Sequence, residues 1–164
     1  MDVQVKSLEE ARQHIQSLTN ELDTVRKMVI DHEQRFEALR WMLFDNHKFT
    51  CSYASHRFLG VMTPEPSHPS LMAYFKARVE NAFGIVDKHL AIRPFMLGDR
   101  LTIVDFSLAG YVFYPPAETG FDIERQFPAI HAWRQRLAAL PGFVAPYELM
   151  NVGNSVMPIR QSLV

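Results

Sequence analysis

Apolar residues near the start of the chain recur three and four positions apart: Leu8, Ala11, Ile15, Leu18, Leu22, Val25, Val29, His32, Phe36 and Leu39. This is an a/d heptad pattern, weak only at Ala11 and His32, and it predicts one long amphipathic helix. Ser7, three residues before Glu10, forms a capping box at the helix start and leaves residues 2–6 as a short leader. In a parallel pair of such helices Glu21 meets Arg26, but Arg35 meets Arg40, so the pattern does not fix an orientation. Two readings stay open. The stripe is either the seam of a dimer, centred on Leu18, Leu22, Val25 and Val29, or the inner face of a helix packed on its own domain.

From about Asp31 the character changes. Trp41, Met42, Leu43, Phe44, Phe49, Tyr53, Phe58 and Leu59 predict a helix that is apolar around much of its circumference, hence a central one. Gly60 and the stretch Thr63 to Pro69 end it in a loop. Ser67 or His68 then caps a helix with Pro69 in its first turn and Leu71, Phe75, Val79, Phe83, Val86 and Leu90 as its buried stripe. After the break at residues 93–100, Thr102 and Asp105 are spaced as a capping box, and Leu101 and Phe106 as a hydrophobic staple. Pro115 and Pro116 stop that helix; Pro128 opens another, Ala129 to Leu140, closed by Pro141 and Gly142. A last turn is expected around Tyr147 to Met150. No alternation is long enough for a sheet. The expected class is all-α: an N-terminal coiled-coil-like helix over 1–30, a helical domain over 31–150 and a loosely held tail over 151–164.

Composition narrows the function classes. With 164 residues the chain suits one domain, and a formal net charge of −1 gives no general attraction to nucleic acid. No apolar run approaches the roughly 20 residues of a membrane helix. No signal peptide is evident, and Cys51 is the single cysteine, so neither disulfides nor a cysteine zinc site are expected. The seven histidines show no convincing ligand spacing, so no metal is expected. These features point to a cytoplasmic protein with no nucleic-acid or membrane partner.

Three segments resemble the C-terminal domain of glutathione transferases. Arg93 to Tyr111, with its Thr102-x-x-Asp105 box, is similar to the family's folding module. Phe127 to Phe143 is similar to the domain's penultimate helix, and Leu39 to Phe49 to its first helix in bacterial members. The resemblance implies a bundle of five or six helices with Thr102 and Asp105 as fold residues rather than catalysts. Beta-class bacterial members carry a similar His-Lys pair facing the glutathione thiol; His47 and Lys48 would then be the bundle's share of a thiol site. Tyr53, Tyr111, Phe113 and Tyr114 would line an apolar pocket equivalent to the family's electrophile site, unless they are plain core aromatics. Cys51 follows His47 at i+4, although lone cysteines among aromatics are mostly inert.

Full-length members place a thioredoxin-like domain ahead of this bundle, and it supplies most glutathione contacts. Here only about 30 residues precede the bundle and read as one helix, too short for a βαβ unit. The thioredoxin-like domain is therefore expected to be absent, and glutathione would bind only where a partner completes the site. The leading expectation is a non-catalytic domain that acts by association, as a homodimer or with another protein. The alternatives are a transferase-related enzyme or subunit that uses a partner-supplied glutathione site, and a carrier of an apolar small molecule.

Overall fold

The computed structural model describes the backbone of residues 2–149 and the side chains of residues 7–145, 148 and 149. The expected tail, 151–164, lies outside the described residues. Helix α1 runs Asp2–Phe44, a π-turn follows at Asp45–Phe49, then α2 at Thr50–Arg57 and a second π-turn at Phe58–Met62. After a loop come α3 (Pro69–Leu90), α4 (Ile103–Ala109), α5 (Pro116–Thr119), α6 (Ile123–Gln126), α7 (Pro128–Ala138) and α8 (Pro146–Leu149). Among the described residues there is no strand; Phe95 and Gly98 exchange an isolated pair of backbone bonds, both 3.1 Å.

The chain divides into two compact units, Met1–Glu37 and Ala38–Val164. The first belongs to α1. No Gly or Pro interrupts Asp2–Phe44, so nothing stops helical hydrogen bonding short of Asp2. The expected leader is therefore helical, and Ser7 and Glu10 lie within the helix rather than at its cap. Every side chain from Ser7 to Glu37 is exposed, the apolar stripe included.

In the second unit, burial along the opening helical stretch recurs every fourth residue: Trp41, Asp45, Phe49, Tyr53, Arg57 and Val61. A regular α-helix has 3.6 residues per turn, so each such step would drift by about 40° and five steps by about 200°. The two π-turns take up that drift. In the first, the Thr50 N–H bonds the Asp45 carbonyl, five residues back. The side chains of Thr50 and Ser107 both donate to the Asp45 carboxylate, the latter at 2.6 Å, and hold α4 against the turn.

His68 caps α3 by accepting from the Ser70 N–H at 3.3 Å, with Pro69 in the first turn. Of the expected stripe, Val79, Phe83, Val86 and Leu90 are buried, Phe75 is half-buried and Leu71 lies exposed at the helix start. The Phe83 ring stacks on Phe49 at 4.4 Å between centroids and meets Tyr53 at 4.9 Å and Phe127 at 5.2 Å, which makes it the centre of the core. Helix α7 buries Ile130, Trp133 and Leu137 at spacings of three and four. Its first free amides, Ala129 and Ile130, donate to the Asp87 carboxylate of α3 at 2.8 and 2.9 Å. A side chain on one helix thus caps the next.

Candidate functional site

Helix α4 begins in a capping box at Thr102 and Asp105. Asp105 is fully buried. Its Oδ2 accepts from the Thr102 N–H at 2.9 Å and the Thr102 hydroxyl at 3.0 Å; its Oδ1 accepts from the Met96 N–H and the Trp133 indole N–H, both at 2.9 Å. All the lone-pair directions of a buried carboxylate are thereby used, which fits a structural anchor rather than a reacting group.

His47 and Lys48 sit on the first π-turn, and both are exposed. Cys51, one turn on, is exposed and free. π-turns within α-helices occur frequently at functional sites. Lys48 lines a small cleft with Ser52 and with Arg78 of α3, and His47 is not among the residues lining it.

The four aromatics proposed as one pocket wall are spread over several surroundings. Tyr53 is fully buried between Phe83 and Phe121. Phe113 packs against Phe143 at 4.9 Å, and Tyr114 lies 5.7 Å from Tyr111. Tyr111 lines an open cleft of about 440 Å³ with Phe58, Leu59, Met62 and Phe75. Arg57 borders the same cleft; its guanidinium stacks 3.8 Å over the Tyr114 ring and donates to Glu118 at 2.6 and 2.9 Å. This largely buried ion pair ties α2 to α5, with two guanidinium N–H groups converging on the single Oε2 oxygen of Glu118.

Beside it, two titratable groups face inward. Burial pushes the Tyr53 phenol up to about 12, against a weaker opposite pull from the Thr119 hydroxyl, Arg134 and Arg57. Burial also lowers the His56 imidazole below its ordinary 6.5; Lys76 adds to this, while the Thr119 backbone and Glu80 oppose it. The Nδ1 of His56 is buried without a hydrogen-bond partner. Among the described residues no three His, Cys, Asp or Glu side chains cluster closely enough to hold a metal ion. None of the described helices is long and apolar enough to cross a membrane.

Asp45, Asp87, Trp133 and the Arg57–Glu118 pair do not emerge from the pattern of the chain. The nearest signal is Pro128: a proline opening a helix announces free amides that need an acceptor, without naming Asp87.

The family model for the "Glutathione S-transferase, C-terminal domain" matches residues 51–141, more than half of the chain. Glutathione S-transferase 1 of Schizosaccharomyces pombe is 23% identical over 145 residues, covering 80% of this chain and 63% of its own length. Glutathione S-transferase verG of Clonostachys rogersoniana is 26% identical, covering 84% of this chain and 59% of its own length. The chain thus spans less than two thirds of these curated relatives. Among solved structures, a glutathione S-transferase from Xanthobacter autotrophicus Py2 superposes with a TM-score of 0.60 at 28% identity, covering 71% of this chain and 58% of that one. With the matched segment running from α2 to the end of α7 around the Thr102–Asp105 anchor, the chain belongs to the glutathione S-transferase family, in its C-terminal all-helical domain.

Proposed function

We propose that this chain acts by association, as a non-catalytic glutathione-transferase-like domain that forms a cytoplasmic homodimer through its N-terminal helix. The observation that carries this reading is the row of exposed apolar side chains on α1: Leu8, Ile15, Leu18, Leu22, Val25, Val29 and Phe36 are each 45% exposed or more. A water-exposed stripe at heptad spacing suits a coiled-coil seam, and a second copy presents the same stripe in the same register. Each large apolar side chain fully buried there contributes about 1.5–3 kcal/mol.

Light scattering across a dilution series tests it. A dimer mass that persists to low micromolar concentration supports the proposal, and a compact monomer throughout ends it. A parallel thermal-shift titration with glutathione and S-hexylglutathione separates the enzyme reading, in which His47 and Lys48 serve a glutathione site completed by a partner.

The open cleft of about 440 Å³ favours one second reading. Phe58, Leu59, Met62, Phe75 and Tyr111 give it apolar walls, and it suits a carrier of an apolar small molecule. A ligand present at 100 times its dissociation constant would stabilise the native state by about 2.7 kcal/mol. The absence of any such stabilisation across a panel of apolar ligands counts against the carrier.

A further inference from the structure

The cleft where the first π-turn meets α3 has an unusual lining. Lys48, Ser52, Arg78 and Asn81 supply its polar groups, Phe44, Ala82 and Ile85 its apolar ones, and no carboxylate is among them. Its volume is about 90 Å³, room for one compact polyatomic group rather than an extended molecule.

The two cations approach from different elements. Lys48 is exposed on the π-turn, while Arg78 is half-buried on α3. Arg78 is held in place by neutral oxygens only: its Nε donates to the Ser52 hydroxyl and a terminal nitrogen to the Tyr74 hydroxyl, each at 3.3 Å. Its guanidinium also lies 5.5 Å from the Tyr74 ring centroid. Ser52, which helps orient it, is buried. Neither Lys48 nor Arg78 has a carboxylate partner among the described residues. Like charges brought to one cleft without a counter-ion repel each other, and an anion between them removes that repulsion.

We propose that this cleft binds the phosphate group of a small aryl or alkyl phosphate monoester. Charge selects the class. A phosphate monoester carries about −1.5 to −2 at neutral pH and can neutralise two cations, whereas a carboxylate neutralises one. The guanidinium fork and the lysine ammonium suit phosphate oxygens, one as a planar donor pair and the other as a point charge. The Asn81 amide and Ser52 hydroxyl add neutral polar groups to the same wall. Phe44 and Ile85 then favour an ester with an apolar substituent over inorganic phosphate. The site involves neither the heptad stripe nor His47, so it stands or falls independently of dimer formation.

Isothermal titration of the full chain with phenyl phosphate tests the proposal, with inorganic phosphate and benzoate as comparisons. The expected result is one site per chain, with phenyl phosphate bound more tightly than either comparison ligand. Lys48→Gln and Arg78→Gln should each weaken it about tenfold or more, the loss of one charge-assisted contact. Lys88→Gln, on an exposed position of the same α3 helix, should leave it unchanged. Arg78→Gln is read only alongside its circular dichroism and melting temperature; Lys48→Gln changes an exposed side chain and keeps the test valid if Arg78→Gln misfolds. No binding at millimolar phenyl phosphate overturns the proposal. So does equal or tighter binding of benzoate, or affinity unaltered in Lys48→Gln.

Discussion

The indole N–H of Trp133 donates to Oδ1 of Asp105 at 2.9 Å, with both side chains fully buried. That bond joins α7 to the first turn of α4, and the Met96 N–H on the same oxygen adds the preceding turn. A local capping box has thereby become a junction of three segments. The consequence is a large difference between losing the cap and losing the carboxylate.

Thr102→Val removes a hydroxyl and should cost about 1 kcal/mol, the usual loss for a helix cap. Asp105→Ala strands the Met96 and Trp133 donors in the core and should cost about 3 kcal/mol or more. Urea unfolding midpoints at constant slope measure both. Equal losses in the two variants would mean that the interior bonds contribute nothing beyond the cap.

Leu22→Lys places a charge in the middle of the α1 stripe. Because the change occurs twice in a dimer, a loss of about 3 kcal/mol or more is expected, roughly a hundredfold weaker self-association. Sedimentation equilibrium would read it, while near-ultraviolet circular dichroism reports on the tryptophans and the bundle. Unchanged association would remove the seam from the account.

His56 supplies a pH test. Its folded-state pKa lies below the ordinary 6.5 chiefly because of burial, so below that pH the unfolded chain takes up a proton that the folded chain resists. Its contribution to stability is complete above pH 6.5 and is lost as pH falls through that value towards the folded pKa. His56→Gln should flatten the acid side of the melting-temperature profile. Parallel profiles for the two proteins would assign the acid loss to other groups.

Tyr53 works on the alkaline side. With its phenol raised from 10.0 to about 12, the folded state holds the proton that the unfolded chain releases, so stability is lost as pH rises above 10.0. A phenolate absorbance titration of the native protein should show one tyrosine ionising late, and Tyr53→Phe should abolish that component.

Asp87→Ala should cost about 1–2 kcal/mol, since it leaves the first amides of α7 without an acceptor. Hydrogen exchange at Ala129 and Ile130 should accelerate more than exchange in α3 itself. Uniform acceleration across both helices would point to a packing defect instead.

Features carried by neighbouring residues were legible in the sequence. Pro69, Pro128 and Thr102 open α3, α7 and α4, and Val79, Phe83, Val86 and Leu90 gave the buried face of α3 because helical spacing is a local property. Together with the Thr102–Asp105 box, these elements made the all-helical class and its family legible. Asp87 reaches Ala129 across 42 positions and Arg57 reaches Glu118 across 61; such pairs form only when packing brings their helices together. The leader is helical despite the capping signature at Ser7, because such a signature marks a start only where the residues before it resist helix formation, and Val3 to Lys6 do not. At the candidate site, His47 and Lys48 could be singled out by resemblance, but Arg78 and Asn81 beside Lys48 could not: they belong to another helix.

The every-fourth-residue burial from Trp41 to Val61 also dictates how this stretch tolerates insertions and deletions. Each π-turn amounts to one residue added to a helix without lengthening the face it presents. Deleting Asn46 would let the first turn close as ordinary α-helix and leave everything beyond facing as before. A deletion in regular helix that keeps the π-turn would instead rotate everything beyond by about 100°. In the first case Phe49 and Tyr53 would stay in the core; in the second they would swing out while the polar flank turned in. The π-turn is therefore the place in this stretch where the loss of a single exposed residue is mildest, because frame, rather than composition, is what the two turns preserve.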